Sequence, residues 1–187
     1  MRKSELRKIR EEQILSTLAK GRIMTAAQLR AVGAGGLDKG GQRNALRVLA
    51  EMERDGLVVS KNVGVKLFAL PGSRFGHWEH QLILVDFLIW KGWFKTAEIE
   101  RPLMKGGEVL IVPDAVIRLV NGIMAIEVDR RQKLRTNREK MEIYKREGIP
   151  FCVVCYKERG KYWEGCMSPS SPSACTAMSM LSSSSSS

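Results

Sequence analysis

Apolar positions recur at helical spacing over residues 4–19, where Leu6, Ile9, Ile14, Leu15 and Leu18 form one stripe between charged residues. A short second helix is predicted from Ala26 to Val32, with Thr25 as its N-cap and Gly33-Ala-Gly-Gly36 as its stop. Gly41 to Arg54 carries a third helical pattern, with Leu46, Leu49, Ala50 and Met52 or Val48 turned inward and Gly56 closing it. Two short strand-like runs come next, Leu57–Ser60 and Val65–Ala69, around Asn62-Val-Gly64. His77 to Trp90 is apolar on almost every side and reads as a buried helix. Its polar exceptions include Glu79 and Asp86, which are seven apart and so share a face. Beyond it the pattern predicts a strand from Trp93 to Ile99 and a loop through Lys105-Gly106-Gly107. Two alternating runs joined by Asn121-Gly122 come next, then a helix over Leu134 to Arg146 and a strand over Pro150 to Tyr156.

Three helices and then a hairpin closing at Pro71 is the order of a winged helix-turn-helix, which places one DNA-binding domain in residues 1–71. Residues 76–163 read α, β, β, β, α, β, so the fold class is mixed α/β of the α+β kind. After about Gly165 the chain turns to Ser-Pro-Ser and a closing serine run, and residues 166–187 are predicted to be a disordered tail. No internal repeat is visible.

The hairpin from Ile111 to Asp129 carries the densest chemistry. Asn-Gly between alternating runs is the strongest short-range hairpin signal, and a two-residue turn there sets residue 120 opposite 123. In that register Asp114 faces Asp129 and Val116 faces Glu127. All three acids then share one face of the sheet, while Ala115, Ile117, Leu119, Met124, Ile126 and Val128 line the other. Three carboxylates crowded together repel one another unless cations offset them. Two readings stand: a divalent-metal site, or an acid cluster neutralised by Arg118, Arg130 and Arg131.

Charge changes the picture of the first domain. The formal net charge is +11, and residues 1–70 hold 14 Lys/Arg against 7 Asp/Glu. No basic amphipathic helix with a bulky aromatic face points to a membrane surface, so the excess points to double-stranded DNA. A membrane helix is excluded, because no apolar run approaches the roughly 20 residues it needs. The N-terminus does not read as a signal peptide, and a cytoplasmic protein is expected. Four cysteines, Cys152, Cys155, Cys166 and Cys175, include a Cys-Val-Val-Cys spacing. On a strand that spacing aims the two thiols at opposite faces, so buried free cysteines are expected rather than zinc ligands. His77 and His80 are assigned to helix packing and capping.

In a winged helix the helix before the wing enters the major groove by its N-terminal part, here Lys39, Gln42, Arg43, Asn44 and Arg47. Gln and Asn bond adenine edges, and Arg bonds guanine. Lys61 and Lys66 flank the wing tip, where phosphate contacts are expected. The acid-free stretch after the hairpin, with Arg130, Arg131, Lys133 and Arg135, is expected to form a phosphate-contacting ridge.

With Pro113-Asp114 on the second strand and Glu127-Val-Asp129 on the third, the second domain resembles the PD-(D/E)xK nuclease-like (restriction-endonuclease-like) superfamily. The resemblance implies Asp114 and Glu127 as ligands of magnesium, with Glu79 (or Asp86) as a third acid and Asp129 as part of the catalytic group. Asp129 stands where the superfamily carries lysine. Arg130, Arg131 and Lys133 lie close to it, and Lys140 on the next helix is the candidate for a migrated lysine. A closer likeness covers most of residues 10–158: the winged helix, Glu79-His80-Gln-Leu-Ile-Leu-Val-Asp86, Pro113-Asp114-Ala115, Glu127-Val-Asp-Arg130 and Lys140-x-x-x-Tyr144. In these the chain resembles the plasmid replication-relaxation family. That resemblance implies a DNA-binding protein of a mobile element, an accessory of plasmid replication or mobilisation or a transcriptional regulator, acting as a homodimer or with a protein partner. The alternative is a magnesium-dependent endonuclease targeted by its winged helix.

Overall fold

A computed structural model describes the backbone of residues 3–129, 138–157 and 161–167, and the side chains of 4–129 and 138–154. The fold is mixed, with five α-helices, a short 3-10 segment and three small sheets among the described residues. The chain divides into two compact units, Met1–Ile89 and Trp90 onward. No helix of the described residues is long and apolar enough to cross a membrane.

In the first unit, α1 (Lys3–Gly21) is followed by β1 (Ile23–Thr25), α2 (Ala26–Ala31), a 3-10 segment (Ala34–Gly40) and α3 (Gly41–Arg54). A hairpin of β2 (Val59–Asn62) and β3 (Lys66–Ala69) comes next, then α4 (Trp78–Trp90), which is buried through Gln81, Ile83, Leu84, Val85, Phe87 and Leu88. The three strands form one antiparallel sheet in the order β1-β3-β2. Thr25 starts α2 through a capping box: its Oγ1 accepts the Gln28 N–H at 3.1 Å, and Gln28 Oε1 accepts the Thr25 N–H at 2.9 Å. The Gln28 amide then donates to Leu82 O at 3.1 Å and Asp86 Oδ1 at 2.7 Å, which satisfies a buried polar side chain and ties α2 to α4.

Helix α3 buries Ala45, Val48, Leu49 and Met52, a clean 3.6-residue stripe. Two expectations fail here, because Leu46 is 38% exposed and Ala50 is exposed as well. The stripe is rotated by one position, so Ala45 takes the core place expected for Leu46. Likewise Leu6 and Ile9 on α1 are exposed, and of that expected stripe only Ile14 and Leu18 are fully buried. Helix α3 ends with Leu57 N donating to Met52 O at 2.9 Å and Gly56 N to Glu53 O at 3.1 Å, the paired bonds of a Schellman cap.

The second unit runs through β4 (Glu98–Ile99), β5 (Leu103–Lys105), β6 (Glu108–Ile111), β7 (Ala115–Leu119), β8 (Gly122–Asp129), α5 (Arg138–Arg146), β9 (Phe151–Lys157) and β10 (Lys161–Met167). Five of these strands form a sheet in the order β10-β9-β8-β7-β4. Its β8 and β9 pair in parallel, and α5 supplies the crossover that a parallel pair needs. Three strands were expected before α5, and β4, β7 and β8 supply them in this sheet. The expected loop instead forms a separate hairpin of β5 with β6. The expected strand Trp93–Ile99 shrinks to Glu98–Ile99, because Thr96 N and Ala97 N both bond Trp93 O, at 3.0 and 2.8 Å, and close a turn. Strand β10 reaches Met167, and the remainder of the serine-rich tail, residues 168–187, lies outside the described residues.

The β7–β8 register corrects the expected one. Leu119 faces Gly122 and Val116 faces Ala125, so the turn residues are Val120 and Asn121 rather than Asn121 and Gly122. Neither of these has positive φ, whereas Gly122 has φ of 139°, so glycine supplies the backbone freedom just after the turn. The slip is by two residues in pairing, which leaves every side chain on its expected face.

Gly35 is where the first unit tolerates least change. Its φ is 56°, and an added Cβ would lie 2.7 Å from Arg10 O and 2.9 Å from Ile14 Cγ1. Gly36 has φ of 69° but open space around it. Urea denaturation should therefore separate the two: Gly36→Ala is expected to cost about 1 kcal/mol from its left-handed backbone. Gly35→Ala should cost about 3 kcal/mol, because the clash with α1 is added to the same backbone penalty. Equal losses would show that the close approach to α1 is not what holds this turn.

Candidate functional site

One face of β8 looks onto α5. Leu103, Ile111, Val116, Ala125, Met141, Tyr144, Phe151 and Val153 pack there into one buried cluster. Glu127 and Asp129 alternate with Ala125 on that face of β8, at 1% and 5% exposure. Asp114 immediately precedes β7, half-buried, and its Oδ2 accepts the Val128 N–H at 2.7 Å. The acid of β8 beside it in the ladder is therefore Glu127, where the expected register had Asp129.

Helix α5 answers this acid with two side chains one turn apart. Tyr144 Oη donates to Glu127 Oε1 at 2.5 Å, and Lys140 Nζ donates to Glu127 Oε2 at 2.8 Å. The same ammonium donates to Val112 O at 3.0 Å. Tyr144 is fully buried and stacks on Phe151 with ring centroids 5.4 Å apart. Burial is the larger force on the carboxyl of Glu127, the negative charge of Asp114 adds to it, and together they push its pKa up to about 7 against the pull of Lys140 and Tyr144. The Tyr144 hydroxyl is held far above its ordinary range, by burial and by the charge of Glu127.

The geometry sorts the expected site residues. Glu127 and Asp129 share the expected face of β8, and Asp114 lies just before β7. Arg118 does not neutralise them, because its Nε bonds Glu98 Oε1 at 2.8 Å. Among the described residues, Lys140 pairs with Glu127 at 2.8 Å. Glu79 lies half-buried on α4 in the first unit, where Asp86 is engaged by Gln28. His77 is exposed and His80 half-buried beside and on the same helix, and Cys152 is a buried free thiol. Arg130, Arg131, Lys133 and Arg135 lie outside the described residues.

Magnesium is implied for Asp114 and Glu127 by the resemblance. Both oxygens of Glu127 already accept a bond, one from the Lys140 ammonium, so a divalent ion at Oε2 would share that oxygen with Lys140 or displace it. Among the described residues, no three His, Cys, Asp or Glu side chains gather as a metal-holding group.

The first unit presents the other candidate surface. Lys39, Gln42, Arg43 and Arg47 are exposed, and Asn44 is half-buried. Arg47 is held by Glu51 Oε1 at 2.6 Å and Asn44 Oδ1 at 3.0 Å, and Gln42 accepts from Arg30 at 3.3 Å. Lys61 is exposed near the β2–β3 turn. Lys66 is committed elsewhere, because its ammonium bonds Glu53 Oε2 at 2.8 Å while Ser60 bonds the other oxygen at 2.5 Å. Lys66 and Ser60 hold the Glu53 carboxyl below its usual range.

Neither a protein family, nor a curated protein, nor a solved structure matches this chain.

Raised proton affinity at Glu127 makes stability depend on pH. Below about 4.5 the group is protonated in the folded and unfolded chain alike; between about 4.5 and about 7 only the folded chain keeps the proton, so stability falls as pH rises through that window. Glu127→Gln removes the titration. Urea titrations at pH 5 and pH 8 should show the wild type losing up to ~3 kcal/mol more than the variant. Parallel losses in the two proteins would refute the assignment.

Proposed function

We propose that this chain is a double-stranded DNA-binding protein of the replication-relaxation kind, in which a winged helix reads the duplex and a nuclease-like second unit serves grip or dimerisation without cutting. The order α1-β1-α2-α3-β2-β3 with sheet order β1-β3-β2 supports the winged-helix reading. So does the outward face of α3, which carries Arg43, Arg47 and Arg54, all exposed. The N-cap of α3, Gly40, has no side-chain capping bond, so the first N–H groups of this helix keep their attraction for phosphate. The order α4-β4-β7-β8-α5-β9, with Asp114 just before β7 accepting the Val128 N–H next to Glu127 on β8, supports the nuclease-like reading of residues 78–157.

The observation that carries the non-cutting reading is the ion pair of Lys140 with Glu127. An ammonium already satisfies the acid that would have to bind a metal. One feature favours the endonuclease alternative: α5 delivers to Glu127 the lysine that the strand lacks at Asp129. The two readings part on one assay. Incubated with supercoiled plasmid and magnesium or manganese, the protein should leave the plasmid intact. Nicking that disappears in Asp114→Ala would instead assign the endonuclease function.

Arg43→Ala and Arg47→Ala should each weaken binding to a preferred duplex by roughly five- to 150-fold, for ~1–3 kcal/mol per base-edge contact. If either arginine meets phosphate instead, its loss should reduce the slope of log K against log salt by ~1. Fluorescence anisotropy on duplexes selected from a random pool measures both quantities. Unchanged affinity and slope in both variants would sink the DNA-reading assignment to α3.

A further inference from the structure

We infer that Leu46 is a specificity-determining residue that reads thymine through its 5-methyl group, an inference that rests on the DNA-binding reading and sharpens it. Along α3, Arg43, Arg47, Ala50 and Arg54 fall at helical intervals, so they form one stripe opposite the buried stripe of Ala45, Val48, Leu49 and Met52. Leu46 is 38% exposed at the edge of that outward stripe, between Arg43 and the core. Its neighbours set what can cover it. Arg43 lies one turn before it and Arg47 beside it, and the guanidinium of Arg47 is fixed between Asn44 and Glu51 rather than folded over the leucine.

Lys39 and Arg54 extend the positive charge toward the two ends of the helix, and Glu51, the acid nearest the stripe, is spent on Arg47. The occupant must therefore be strongly anionic and must still offer an apolar spot beside donor-accepting edges. Major-groove DNA combines the two: phosphates line its walls, guanine O6 and N7 accept from arginine, and thymine presents a methyl group.

The test uses the full chain and a chemical change confined to the methyl group. Duplexes are selected from a random-core pool, and anisotropy then compares the selected duplex with the same sequence carrying deoxyuridine at its thymines. Each methyl that Leu46 withdraws from water should be worth about fourfold in affinity. The wild type should lose that factor on the deoxyuridine duplex, whereas Leu46→Ala should bind both duplexes equally and as weakly as the wild type binds the deoxyuridine form. Equal wild-type binding to thymine and deoxyuridine duplexes overturns the role of Leu46 while leaving the DNA reading intact. A pool that yields no enriched duplex and no salt-dependent retention overturns both, and would turn this face toward an acidic protein partner.

Discussion

A single buried carboxylate organises the second unit. Glu127 is 1% exposed, and an ionised carboxyl taken from water into such a place is unfavourable by several kcal/mol unless its oxygens are bonded. Lys140 and Tyr144 meet that demand from one helix, and their four-residue spacing puts both on the face that covers β8. Because both bonds come from α5, the helix cannot rotate or slide without exposing the acid. The register of α5 over the sheet is thus fixed by polar geometry as much as by Met141 and Tyr144 in the core. Lys140 also bonds Val112 O, so one ammonium links α5 to the segments on either side of the acid pair.

The pattern of alternation carries more of the fold than the turn chemistry does. The faces of β7 and β8 are legible because side-chain parity survives a slip of two residues. Pairing register is not legible, because Asn121-Gly122 marks a turn without saying whether glycine sits within it or just after it. Gly122 takes φ of 139° as the first residue of β8, a role the same dipeptide signal cannot distinguish. On α3 the error is rotational. Hydrophobicity alone places Leu46 inside, yet Ala45 is the residue fully buried there and Leu46 is 38% exposed.

The site is legible in its acids and not in its cation. Strand parity, a local property, brings Asp114, Glu127 and Asp129 together. Nearby arginines are the neutralisers that sequence proximity suggests, whereas Lys140 arrives from the crossover helix, 13 positions along the chain from Glu127. The signal is present in the Lys-x-x-x-Tyr spacing, since two polar groups one turn apart on a core-facing stripe require a buried partner. Lys66 shows the converse. Its position by the hairpin turn suggests phosphate contact, and in the structure its ammonium is bonded to Glu53 and lies over the Phe68 ring.

Charge divides the work between the two surfaces. On β8 an acid is buried against a lysine, so the two opposite charges are matched and weakly hydrated. On α3 the reverse holds: arginines stand in water around an apolar leucine, and the gain from covering them waits for a partner. Buried pairs of the first kind tend to specify a fold, because breaking either half leaves an unmatched charge in the interior. Exposed mixtures of the second kind contribute little to the fold, since neither exposed arginines nor a half-exposed leucine gain much without a contact. The fold therefore accounts for the pairing of Glu127 with Lys140, whereas burial gives no reason for Leu46 to sit among Arg43, Arg47 and Arg54. The binding role proposed for α3 supplies one.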